Sequence, residues 1–170
     1  LVPVETLRAA LETYAGSFRA RMIALMAAKL GLGEPREGDP ALIGALLNAM
    51  AKGRADYTLA FRRLAWIGDP AGEAAWLDLF GPAVEEAEAW LSLYRVRILG
   101  DDADARRARM NAVNPKYVLR NWVAETAIRA VEDEGDVGTL DRIFRLVTSP
   151  FEEHPEDEMF AAPPPPALCG

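Results

Sequence analysis

Apolar residues recur at three- and four-residue spacing along nearly the whole chain, and no stretch shows the alternation of a half-buried strand. The spacing predicts a first helix over 3–30. It carries Leu7, Leu11, Tyr14, Phe18, Met22, Leu25, Met26 and Leu30 on one stripe, with a kink near Gly16 and a stop at Gly31 or Gly33. Asp39-Pro40 opens a second helix that buries Leu42, Ile43, Leu46, Leu47 and Met50 and stops at Gly53. A third is expected over 56–66 and a short fourth over 72–80. Pro82 begins a fifth, ended by Gly100, with Val84, Ala87, Trp90, Leu91, Tyr94 and Ile98 inward. An Arg-rich helix or turn at 101–111 follows. Asn114-Pro115 then reads as a cap and first position for a helix running to Glu134-Gly135, with Val118, Leu119, Trp122, Val123 and Ala127 on one side. A last helix over 137–147 presents Leu140, Ile143, Phe144 and Val147. The fold class that follows is all-α: an irregular bundle of seven to eight helices over 1–148.

Past Ser149-Pro150 the pattern changes. Glu152, Glu153, Glu156, Asp157 and Glu158 are followed by four consecutive prolines, 163–166. Residues 149–170 therefore read as an extended, acidic, Pro-rich tail with too few large apolar groups for its own core. It should either lie along the body or stay mobile.

Composition narrows the picture further. At 170 residues, 51% hydrophobic and 26% charged, one folded domain is expected. The net charge of −7 argues against nucleic acid as a partner. No apolar run approaches the ~20 residues that cross a bilayer, and no secretory leader is visible. Only three of the 19 cations are lysines (Lys29, Lys52, Lys116), an Arg bias that, with abundant Ala, suggests a GC-rich genome. The single cysteine, Cys169, rules out an internal disulfide and any multi-cysteine zinc site, and a bacterial cytoplasmic location is expected. The chain opens at Leu1 already in helical rhythm, which suggests a piece of something longer.

Candidate chemistry is sparse. The sequence has no Gly-rich phosphate loop and no Gly-x-Ser-x-Gly elbow, so no catalytic, cofactor-binding or metal-ligating residue is assigned. His154 reads as part of a solvated acidic tail rather than a ligand. Asp101, Asp102 and Asp104, like Glu85, Glu86 and Glu88, read as helix caps or solvated faces. Trp66, Trp76, Trp90 and Trp122 fall at inward positions. Arg106, Arg107, Arg109, Lys116 and Arg120 form the one basic concentration. It could hold an anionic nucleotide or an acidic partner, but pairing with this chain's own carboxylates is the simpler reading. Cys169, after the prolines, is either incidental or redox active.

The string Asn114-Pro115-Lys116-Tyr117 with Leu119, Arg120 and Asn121 resembles a motif in the C-terminal region of the selenoprotein O family. Met110-Asn111, Ala127-Ile128, Ser149-Pro150-Phe151 with Glu152-Glu153, and Phe160-Ala161-Ala162 with Pro163 to Pro165 are similar to further family segments in the same order. Lys29-Leu30-Gly31-Leu32 and Arg54-Ala55-Asp56-Tyr57-Thr58 also fit. The resemblance implies a parent protein with a protein-kinase-like fold that transfers AMP from ATP to protein hydroxyl groups with Mg²⁺ or Mn²⁺. The present chain would be its helical C-terminal part, structural and regulatory. It implies as partners an N-terminal kinase-like lobe and the parent's protein substrates, and a regulatory redox role for Cys169. The shortened ending, 166–170, departs from the family's Cys-Ser-Ser terminus. The catalytic motifs of the family match nothing here, so the chain is either an excised domain or a reduced relative. The alternative is a free-standing helical interaction protein that holds a partner by its acidic tail or the 106–120 basic stretch.

Overall fold

The computed structural model describes residues 2–165 and is helical throughout, with no strand among the described residues. In chain order the helices are α1 Val4–Lys29, α2 Asp39–Gly53, α3 Tyr57–Leu64 and α4 Pro70–Leu77. A 3-10 segment, Asp78–Ala83, leads to α5 Val84–Arg97, α6 Ala103–Asn111, α7 Asn121–Glu134 and α8 Val137–Thr148. A second 3-10 segment, Pro155–Ala161, closes the description. Local chemistry sets most starts. Asp56, Asp69, Asp102 and Asp136 each accept a hydrogen bond from the backbone N–H three residues on, satisfying a donor the helix leaves free. Each such cap contributes about 1 kcal/mol.

The main core lies between α2, α3, α4 and α5 and takes in the end of α1 and Met110 of α6. A ladder of rings runs through it: Phe80 to Trp76 at 4.5 Å, Trp76 to Trp90 at 5.5 Å, Trp90 to Tyr94 at 4.9 Å. Every polar edge of the ladder finds a carbonyl, so burial carries no desolvation loss. Trp76 Nε1 donates to Ala60 O, Trp90 Nε1 to Leu42 O and Tyr94 Oη to Leu30 O. Burial pushes the Tyr94 hydroxyl pKa upward, which keeps it a donor. Two glycines are forced by this packing. At Gly31, which ends α1 with φ +66°, a Cβ would lie 2.6 Å from Met110 Cγ. At Gly53 it would lie 2.3 Å from the Phe80 carbonyl oxygen. The left-handed turn after α2 therefore falls on Arg54 (φ 52°) and not on the glycine expected to supply it.

A second, smaller core gathers Tyr117, Trp122, Val123, Ala127, Ile143, Leu146, Phe160 and Ala161, that is, the α7–α8 hairpin with the tail laid across it. The described part of the tail, 149–165, follows the first of its two expected courses and lies along the body. It folds into its own 3-10 turn there, with Asp157 fully buried.

Four expectations are corrected. The helix foreseen from Asn114 begins seven residues later, at Asn121, because Asn114 spends its side chain on α1. Leu119, placed on that helix's inner face, is exposed. Trp66 is also exposed: it lies in the turn beyond α3, and the Arg107 guanidinium covers its ring at 4.1 Å. Finally, α1 is one unbroken helix, and only from Ile23 onward does it meet the body.

Candidate functional site

The segment between α6 and α7 is extended, and it is where the two cores are joined. Asn114 is buried. Its Nδ2 donates to the Lys29 carbonyl at 2.8 Å, and the Lys29 Nζ donates to its Oδ1 at 3.2 Å. The first of these satisfies a carbonyl at the open end of α1, as a capping side chain would, and the second ties the Lys29 ammonium to the same amide. The Lys29 ammonium also stands 5.2 Å from the Phe61 ring centre and 5.6 Å from that of Tyr57. Burial pulls the Lys29 pKa down, and the two ring faces supply the compensating attraction.

Two residues on, Lys116 and Tyr117 both donate their backbone N–H to the Pro150 carbonyl, at 2.7 and 3.2 Å. This is the first seam between the segment and the tail. The Lys116 Nζ reaches Glu153 and Glu158, and Tyr117 Oη donates to the His154 carbonyl at 2.9 Å. Burial alone would lower the Lys116 pKa, but the two carboxylate hydrogen bonds outweigh it and the net shift is upward. Glu153 answers in the opposite sense: burial would raise it, and the Lys116 and Arg62 hydrogen bonds hold it below the ordinary carboxylate range. Arg120 closes the segment with a two-pronged pair onto Asp56, Nη2 to Oδ1 at 3.0 Å. Asp56 is already the cap of α3, and the Arg120 hydrogen bond, with the backbone bonds, keeps its pKa low against the effect of burial.

Arg62 of α3 is the centre of the junction. Its Nη1 donates to the carbonyls of Asn111 and Asn114 at 3.0 and 2.8 Å. Its Nη2 donates to the Phe151 carbonyl at 3.3 Å and to Glu153 Oε1 at 2.6 Å. One side chain thus holds the end of α6, the motif and the tail. A planar guanidinium suits this, since its fixed fork places several donors at once. Farther along, Asp157 accepts from Arg142 and from Arg145 Nη2 (3.0 Å) of α8, while Phe160 stacks on Trp122 with ring centres 6.2 Å apart.

Of the six motif residues, Asn114, Lys116, Tyr117 and Arg120 converge on this junction, Pro115 lies half-buried between them, and Asn121 opens α7 on the exposed side. Other strings that carry the family likeness arrive at the same place: Lys29 from α1, Asp56 before α3, Pro150 and Glu153 from the tail. Sequence reasoning missed Arg62. Its signal was the pair Arg62-Arg63 set between Phe61 and Leu64 on a short amphipathic helix. The basic stretch is consumed from within: Arg107 pairs with Asp104, Arg109 with Asp101, Lys116 with Glu153 and Glu158, Arg120 with Asp56. Arg106 donates to the Ile67 carbonyl.

His154, Glu156 and Asp157 do come together, with Asp157 already held by two guanidiniums and Glu156 lying 3.8 Å from Arg145 Nη2. Ion pairing accounts for that group. His154 is not the solvated residue expected; it is largely covered beside the Tyr117 ring. Cys169 lies outside the described residues.

A cradle for ATP would need uncommitted donors around a cavity. Arg62, Lys116 and Arg120 are instead paired with Glu153, Glu158 and Asp56 of this chain, so these three do not fit a nucleotide, and no chemical step is assigned to them.

Comparison with known proteins agrees with the motif. Residues 1–148 match the family model of the protein adenylyltransferase SelO. The chain is 44% identical over 169 residues to a protein nucleotidyltransferase YdiU of Myxococcus xanthus, covering 97% of this chain and 34% of that protein. It is 44% identical over 166 residues to the protein of the same name from Burkholderia multivorans (95% and 31%). A Thioalkalivibrio sulfidiphilus counterpart is 46% identical over 167 residues (95% and 33%). The chain thus spans about a third of the length of the curated relatives it matches. With the match running through the helices and the 114–121 motif, the chain belongs to the SelO family of protein adenylyltransferases.

Proposed function

We propose that this chain is the helical, non-catalytic part of a bacterial cytoplasmic protein adenylyltransferase, and that the 114–121 motif is a clasp that fixes the shape of that part. The observation that carries this reading is the fate of the motif's charges. Lys116, Arg120 and the central Arg62 all end on Glu153, Glu158 or Asp56 of the same chain. Groups spent on internal pairs hold elements together; they are not available to take a phosphate. The reading is also supported by length, since two thirds of each relative lies beyond the match.

On this reading ATP, Mg²⁺ or Mn²⁺ and the protein substrates belong to the remaining two thirds, a kinase-like lobe. The helical part braces that lobe, and Cys169 is a candidate regulatory thiol. The test is AMP transfer by the full-length protein from labelled ATP onto protein hydroxyl groups. Incorporation that depends on divalent metal is expected, and a full-length protein that labels nothing would overturn the proposal.

A further inference from the structure

Nineteen residues of α1, 4–22, stand clear of everything else in the structure. All nineteen are exposed, as are Ala24 and Leu25, and the helix is seated on the body through Ile23, Met26 and Leu30. At 1.5 Å per residue this is an arm of about 28 Å. It is not a polar arm. Leu7, Leu11, Tyr14, Phe18, Met22 and Leu25 form one seam at spacings of four, three, four, four and three, each between 42 and 67% exposed. Tyr14 and Phe18 already stack on each other, ring centres 6.0 Å apart. With about 100° per residue, the centre of the seam lies roughly 100° around the helix from Met26 and Leu30, so the residues that seat the helix adjoin the bare seam without covering it.

A helix in water draws most of its stability from packing an apolar face, and short isolated helices are marginal. A seam of six large side chains left in water is an interaction surface. Two observations identify what meets it. About two thirds of each relative lies outside the match, and on the proposed reading that mass is the neighbour within reach. The arm is also not the only bare face: Leu93 and Val96 of α5 with Leu99 just past its end, and Ile128, Leu140 and Phe144 on the α7–α8 hairpin, are exposed as well. A second copy pairing along α1 would leave those faces open, whereas one large neighbour can reach several.

We propose that α1 is a docking arm whose Leu7–Leu25 seam packs into an apolar groove on the part of the longer polypeptide that this chain does not match. This rests on the reading that the chain is one portion of a longer adenylyltransferase. Arg8 and Arg19 on one flank and Arg21 on the other have no ion pair among the described residues, so the groove's rim carries carboxylates.

Amide hydrogen exchange over residues 5–22 tests it, measured on the 170-residue chain alone and on the full-length protein, each at two concentrations. In the chain alone these amides exchange fast. In the full-length protein they are slowed by about 100-fold or more at both concentrations. In the full-length protein Leu11→Glu with Phe18→Glu restores fast exchange there while α2 and α5 stay protected. Equal exchange in the two forms overturns the proposal, as does protection in the chain alone that grows with concentration, which marks a second copy as the occupant. AMP transfer on the same full-length sample separates the two claims. Transfer with an unprotected arm defeats the docking and leaves the function standing; a protected arm without transfer does the reverse.

Discussion

Arg62 and Asn114 share the work of joining this molecule, and their removal should not cost the same. Asn114→Ala strips the Lys29 carbonyl and ammonium of their partner, a loss of about 1–3 kcal/mol. Arg62→Met takes the Arg62 donors from three carbonyls and leaves Glu153 to Lys116 alone, and about 3–5 kcal/mol is expected. Because Arg62 also binds the Asn114 carbonyl, the double variant should fall short of or exceed the sum by about 0.5–3 kcal/mol. Urea unfolding of the four proteins measures all three numbers, and strict additivity would show that the two residues act separately. The same junction sets a pH dependence. Asp56 and Glu153 are held below their ordinary values, so they bind fewer protons folded than unfolded. Their stabilisation is present above the ordinary carboxyl range, near pH 4, and is lost as the pH falls through and below it. Lys116 is shifted upward, so its part persists to alkaline pH and is lost only above the ordinary lysine range. Asp56→Asn should flatten the acid limb of a plot of urea midpoint against pH, and an unchanged acid limb would remove Asp56 from the clasp.

Among the elements, α2 offers a comparison in which one substitution should change sign with position. Gly44 and Gly53 both lie in the same helix, where alanine is favoured by about 1 kcal/mol. A Cβ at Gly44 meets nothing within 4 Å, so Gly44→Ala should stabilise by about 0.5–1 kcal/mol. A Cβ at Gly53 meets the Phe80 carbonyl oxygen at 2.3 Å, and backbone cannot swing aside as a side chain can. Gly53→Ala should therefore destabilise by about 1–3 kcal/mol in the same thermal melt. Stabilisation by both would mean that α2 and the 79–81 turn are not in contact.

Helices of this kind were legible in the chain wherever their ends are decided locally. The starts at Asp56, Asp102 and Asp136 and the glycine stop at Gly135 act on neighbours three or four residues away, whereas the fourth helix, expected over 72–80, begins earlier, at Pro70 behind the Asp69 cap. The start of α7 was not legible, because Asn114-Pro115 obeys the local grammar of a cap and first turn. Lys29, 85 residues away in the sequence, claims the Asn114 side chain instead. A buried tertiary pair outweighs a cap that water could replace. In α1 the seam was evident, but periodicity alone does not tell a covered face from a bare one.

For the whole molecule, two cores and a folded-back tail make a body whose charged centre is already satisfied from within. The 114–121 string meets Lys29, Asp56, Pro150 and Glu153 from other family-like strings at one junction, a convergence that the sequence reading did not foresee. What no spacing could reveal was the role, because Lys116, Arg120 and Arg62 would look the same on paper whether they faced a phosphate or a glutamate. Only their distances to Glu153, Glu158 and Asp56 separate the two. The sharpest measurement is therefore made on the 170-residue chain by itself, given labelled ATP, Mg²⁺ or Mn²⁺ and an acceptor protein. No label should move to protein and no saturable ATP binding should appear by calorimetry, while the full-length protein labels under identical conditions. Metal-dependent AMP transfer by the 170 residues alone would contradict a clasp and place the active centre among them.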